Sequence, residues 1–537
     1  MKKYIILAFA SLLALSSCES FLDRSPLSDL SPSSYFKDKA EMKNWNAGIY
    51  DAFQSALSRR QVLFGDVRSD NVTGTSYEDS KIYMNALMPN ISEASWEPFF
   101  TCISRCNIGI QKYPTIPNIL ESEYAPYIGQ CYAMRAYMYF WGTRTWGKMP
   151  IITEPWDGSL NSIAIPRSSL EQVKEQILSD IEKAISYFNQ SDTSDKIYLG
   201  KDAMYALLTE VHMWYNDYQD ALTASEHFIN HKSLSLSNGE IEWKNIFTNP
   251  SSSKEVIFAM AWDYETDGAL SGWPQLLGAS NTNNGYRMAE PIFNEFIDRL
   301  RSGEGSDARF WNTIDTVKVY YKASRVPLTY ASYTAGVESV NKCIKYSNID
   351  PEREYDSSNQ VYKSYFSVMN TTDSEFSLVM MRMANIMLLR AEALNKLNRG
   401  DEALNIVNDI RSRVGYLKDA KEDEALSIVN DIRSRVGYLK DAKLEVSNVN
   451  NVNEVENIIL QERQLELYGE GYRWFDLMRT GHLIEVMDPI YSARQEAADV
   501  TVTGFGNEGT KYWPIHYAEF ESNKALVGDQ NPPYTER

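Results

Sequence analysis

Residues Glu462 to Arg479 read E-R-Q-L-E-L-Y-G-E-G-Y-R-W-F-D-L-M-R, and this stretch decides the fold of a 537-residue chain. Its first half is helical, with Leu465 and Leu467 set among Glu462, Arg463, Gln464 and Glu466, all good helix formers. Gly469 and Gly471 then loosen the backbone, and Tyr472, Trp474 and Phe475 crowd three rings into four positions. Threaded through them are Glu462, Arg463, Glu466, Glu470, Arg473, Asp476 and Arg479, both signs interleaved. Rings this dense are normally buried, and a buried charge is tolerated only when paired and hydrogen-bonded. The stretch therefore predicts a paired ionic lattice that locks a helix end against aromatic packing. Used as an acid/base pair, its carboxylates would need a cleft and unlike environments rather than a matched guanidinium each.

Helical periodicity covers most of the remaining chain. Met42, Trp45, Ile49 and Phe53 repeat at near-helical spacing in 39–57, as do Trp96, Phe99, Ile103, Cys106 and Ile110 in 94–113. Residues 124–146 form an aromatic helix closed by Trp146-Gly147-Lys148-Met149-Pro150, and Leu170, Val173, Ile177, Ile181 and Ile185 mark one further stripe. Between the first two helices, Gly65-Asp66-Val67-Arg68-Ser69-Asp70-Asn71 reads as a loop. Two hairpins are alike: 201–214 leads through a polar turn to Ala221-Leu222, and 382–397 to Ala403-Leu404, in the manner of degenerate tetratricopeptide hairpins. One hairpin cannot bury its own faces, so several must stack. Residues 401–422 are followed by a near-copy at 423–444, differing only at Asn405/Ser427 and Glu422/Leu444. Each copy reads as one helix ending at Gly415 or Gly437. One copy is expected to dock on the 382–397 helix and the other to pack loosely.

The N-terminus carries Lys2 and Lys3, an apolar run to Leu15, then Ser16-Ser17-Cys18. This is a secretory signal over 1–17 with a lipobox, too short to span a membrane, and Cys18 becomes the acylated first residue. A Ser/Pro/Asp-rich tether follows to residue 38. Loss of Lys2 and Lys3 takes the formal charge from −19 to −21, which argues against nucleic acid and against electrostatic docking on anionic lipid. Cys102, Cys106, Cys131 and Cys343 lack metal-ligand spacing and read as buried free thiols. His227 and His231 stand four apart after Glu226, with no third metal ligand apparent. Gly504-Phe505-Gly506-Asn507-Glu508-Gly509 is not followed by a helix and reads as a turn. No G-x-S-x-G elbow exists.

E-R-x-x-E-L-x-x-E-G-x-R-W-F-D-L-x-R resembles the signature of the SusD/RagB family of surface nutrient-binding lipoproteins. R-A-Y-x-Y-F followed by W-G-x-x-P resembles its N-terminal half, and D-Q-N-P-P-Y at 529–534 its ending. The resemblance implies a mostly α SusD-like fold on a tetratricopeptide-like scaffold, one domain over 39–537. Its parts are an N-terminal half (39–260), a loop-rich middle (261–374) and a C-terminal half (375–537) holding the duplication at 401–444. It further implies an outer-membrane, cell-surface lipoprotein that hands an oligosaccharide to a SusC-like TonB-dependent transporter. A peptide ligand, as for RagB-like members, is the alternative; a surface glycoside hydrolase and a ligand-free helical scaffold rank below it. No cofactor is expected, and the sequence leaves calcium open. Exposed rings beside polar groups suit sugar recognition. By position the ligand residues are Asp70, Trp96, Trp273, Tyr286 and Trp311.

Overall fold

A computed structural model describes residues 35–74, 80–156, 164–192, 195–267, 276–278, 286–301, 307–314, 343–346, 355–356, 361–362, 376–414 and 451–536. Cys18, Trp273 and the second copy at 423–444 lie outside the described residues.

The N-terminal half is a run of helices, each packed on the one before it: α1 (Lys39–Leu57), α2 (Glu97–Lys112), α3 (Glu121–Trp146), α4 (Leu170–Phe188), α5 (Lys201–Trp214) and α6 (Tyr218–Ser225). Local chemistry sets their ends. At α4, Ser169 accepts from the Gln172 amide while Gln172 reaches back to the Ser169 N–H, a reciprocal cap. The aromatic helix α3 is buried on every side over its last fourteen residues, which is why its sequence shows no polar face.

The two hairpins that look alike in sequence stack directly on each other. The second is α8 (Met383–Lys396) and α9 (Gly400–Arg413), preceded in the chain by α7 (Glu290–Arg301); α8 packs against α5 and α6. Leu222, Leu388, Leu394, Leu404, Val407, Ile410 and Ile459 form the core of that joint. α9 carries the first copy of the duplication and docks on α8. Its stripe (Ala403, Val407, Ile410) is buried, and Asn405 faces solvent. α10 (Val452–Glu466) and α11 (Arg473–Thr480) then frame the signature stretch.

The frame is mostly but not wholly helical. β1 (Val72–Thr73) pairs antiparallel with β3 (Arg287–Met288), and β2 (Val256–Met260) pairs antiparallel with the fully buried β4 (Leu378–Arg382). The four described cysteines are free and buried. One segment departs from the loop expected at 65–71: Leu63–Val67 is a buried π-helical turn. Its one polar side chain, Asp66, is interior because it accepts from backbone N–H groups of the signature turn.

Candidate functional site

The lattice predicted from the signature is present and fully interior. Glu462 and Glu466 are four residues apart on α10 and so project from one face, and Glu470 follows in the turn beyond its end. Glu462 meets Arg299 (3.2 Å), Arg309 (2.6 Å) and Arg411 (2.7 Å). Glu466 meets Arg382 (2.6 Å), Arg309 (2.9 Å) and Arg413. Glu470 takes Lys345 (2.6 Å) and Arg382 (2.7 Å), and Glu255 at the start of β2 bridges Arg382 and Arg413. Burial alone would push these acids up; the facing guanidiniums outweigh it and hold Glu462, Glu466 and Glu470 below the usual carboxylate range. A second knot joins Arg463 to Asp476 (2.9 Å), with Arg479 between Asp476 and Glu392. Such matched groups hold parts in register. They offer no free acid or base for chemistry.

The signature's glycine turn is gripped from the N-terminal half. Asp66 accepts from the Gly469 amide (3.2 Å), the Gly471 amide (2.6 Å) and Asn71 (2.6 Å). Burial pushes its carboxyl up to about 6 in spite of those bonds. Gly471 has φ +82°, and a Cβ on Gly65 would sit 2.0 Å from its carbonyl oxygen, so both positions require glycine. The buried Arg68 guanidinium lies 3.8 Å over the Trp474 ring.

Asp70 belongs to this grip. Both of its oxygens take Arg473 (2.8 and 2.9 Å), and Gln464 adds a bond at 3.0 Å. It sits on a hollow of about 510 Å³ with Thr73, Tyr83, Glu290, Gln464 and Arg494. Tyr286, just before β3, does not line this hollow. It is fully buried 5.5 Å from Tyr83, and the other face of Tyr83 is covered by Arg494 at 3.8 Å. Neither ring has a face open to a sugar, so Tyr286 packs as core. Trp311 lies on the short helix Ala308–Thr313, whose Arg309 feeds the lattice.

Trp96 is placed elsewhere, in a cavity of about 820 Å³ between α2, the segment 150–156 and the C-terminal residues 519–526. The Trp96 ring is 3% exposed, edge-on to Phe100 at 5.7 Å and to Trp146 at 6.2 Å, and forms the floor. At the mouth stands Trp156, 64% exposed. Thr101, Ser104, Glu97, Glu154, Glu519 and Asn523 supply polar groups around the two indoles. A broad apolar face beside several hydrogen-bonding groups suits a sugar ring. Trp156 was missed in the sequence because Pro-Trp-Asp-Gly at 155–158 reads as a connector; the signal was a large ring in a turn that has no stripe to join.

The histidine pair does gain a third group. Asp202 Oδ1 lies 2.7 Å from His227 Nε2 and 3.3 Å from His231 Nε2. His231 Nδ1 accepts from the backbone N–H of Ser233 and Leu234, so Nε2 carries the ring proton and donates to Asp202. The trio is a carboxylate bridging two imidazoles, and the His231 lone pair is not turned toward a metal.

A stacked helical scaffold, clamped by a buried ionic lattice and bearing an open aromatic cavity, is thus what the chain builds. Residues 229–534 match the SusD family, and residues 20–213 match a family described as starch-binding associating with outer membrane. The chain belongs to the SusD family. It is 29% identical to SusD-like protein P38 of Formosa agariphila over 99% of this chain and all of that one. It is 24% identical to a SusD-like protein of Bacteroides ovatus over 76% of each. Among solved structures, a SusD-like protein from Bacteroides fragilis superimposes with TM-score 0.68 at 19% identity, covering 95% of this chain and 100% of that one. A laminarin-binding SusD-like protein gives TM-score 0.63 at 20% identity, covering 93% and 100%. Among the described residues no helix is long and apolar enough to cross a membrane.

Proposed function

We propose that this chain is a surface glycan-binding lipoprotein, moored to the outer membrane by acyl chains on Cys18, that captures an oligosaccharide and passes it to a SusC-like TonB-dependent transporter. The observation that carries the binding half is the exposed indole of Trp156 at the mouth of an 820 Å³ cavity floored by Trp96. That volume lies within the roughly 300–1,000 Å³ of ordinary ligand sites. Family membership supports the glycan as ligand, and the laminarin-binding relative is consistent with it. The signature carboxylates, each matched to a cation, support capture without bond cleavage.

A glycan array probed with the mature chain, followed by mass analysis of recovered oligosaccharide, tests the proposal. Binding with unchanged ligand mass is expected. Shortened ligand would make the protein a hydrolase, and binding confined to a parallel peptide array would replace sugar by peptide. Labelling with a palmitate analogue tests the anchor: wild type should incorporate label and Cys18→Ala should not.

A further inference from the structure

Taking the cavity between Trp96 and Trp156 as the glycan site, we infer that it selects uncharged oligosaccharides and rejects chains bearing uronate or sulfate groups. Its lining among the described residues holds three carboxylates, Glu97, Glu154 and Glu519, and one cation, Arg105. Glu97 and Glu154 are exposed at the rim, where a bound sugar's substituents would lie. Arg105 is already engaged: its Nη1 donates to the Gly48 carbonyl and to Asp51 at 3.1 Å. The charge of Arg105 is thus already offset by Asp51, and the three carboxylates of the lining are left in excess.

The N-terminus of α2 also borders this cavity, and its dipole would favour an anion. That end is filled from within. The Glu97 N–H donates to Ser95 Oγ (3.2 Å), the Ser95 hydroxyl donates to Glu519 at 2.9 Å, the next position is Pro98 with no N–H, and Glu97 itself stands in the first helical turn. A ligand anion would therefore meet fixed negative charge where it needs donors. Hydroxyls meet the opposite situation, since Glu97 and Glu154 accept from sugar O–H groups while the indole of Trp156 offers its face. Two like charges about 8 Å apart in a partly solvated site repel enough to weaken binding roughly 2- to 30-fold per pair.

Calorimetry with matched ligands tests this: neutral α-glucan, β-glucan and mannan hexasaccharides against the same chains oxidised at C6 to uronates. Where a neutral chain binds, its uronate form is expected to bind at least about tenfold more weakly at low salt, the gap shrinking as ionic strength rises. In Glu97→Gln/Glu154→Gln the ratio of the two affinities should move toward one, whatever happens to either affinity alone. Uronate binding equal to or tighter than neutral binding overturns the inference while leaving glycan capture standing. A ratio unmoved in the double variant also overturns it, because the discrimination would then reside elsewhere. Binding of neither form by the wild type overturns the glycan reading and the inference together.

Discussion

Replacing Glu466 by alanine removes one of the two lattice acids that each meet three arginines. Its side chain is fully buried, and its oxygens take Arg382 at 2.6 Å, Arg309 at 2.9 Å and Arg413. Removing one partner from a buried ion pair costs about 3–5 kcal/mol, since the charge left behind is not rehydrated. Each arginine here keeps a second acid: Arg382 keeps Glu255 and Glu470, Arg413 keeps Glu255, and Arg309 keeps Asp307 and Glu462. The expected loss is therefore at the lower end, about 3 kcal/mol out of a total near 5–15 kcal/mol. Glu466→Gln retains an acceptor and should lose roughly half as much. Urea unfolding followed by tryptophan fluorescence at pH 7 reads both. The lattice holds the folded-state Glu466 pKa below its unfolded value, so its contribution is complete above the ordinary carboxylate range and fades as pH falls through the depressed value. The gap between wild type and variant should then be constant from pH 8 to 5. A loss under about 1 kcal/mol at pH 7 would refute the view that this lattice holds the two halves together.

Other consequences follow from neighbouring features. Asp66 has the opposite sign: burial raises its folded-state carboxyl to about 6, so it costs stability as pH rises through 4 to 6, on the order of 3 kcal/mol. That slope should be missing from the urea-midpoint profile of Asp66→Asn. Gly65→Ala places a methyl 2.0 Å from the Gly471 carbonyl oxygen and should lose at least about 2 kcal/mol in the same assay. Deleting residues 423–444 should leave Tm nearly unchanged, because Arg411 and Arg413 of the first copy already occupy Glu462, Glu255 and Glu466. A large fall in Tm would show that the second copy contributes to the folded core.

The helices were legible because apolar residues recur at their period, and the lattice because seven charges among three rings leave few other uses. The partners were not legible. Glu255, Arg299, Arg309, Lys345 and Arg382 lie about 80 to 200 residues from the signature, and nothing local marks them for it. The turn at 63–67 shows the same limit from the other side: Asp66 and Arg68 look solvated, yet they are interior because they satisfy backbone groups and a ring far along the chain. Ring exposure was the hardest property to read. Tyr286 sits in irregular sequence and is fully buried, whereas Trp156, in a short connector, is 64% exposed. Placement in a loop says little about which face meets water.

Calorimetric titration of Trp156→Ala with the best-bound neutral oligosaccharide is the most direct test of capture at this cavity. Losing the face of one indole should remove about 1.5 kcal/mol, a roughly tenfold weaker Kd, with no bond of the ligand broken and Tm unaltered. An affinity equal to that of the wild type would show that the sugar is held somewhere else.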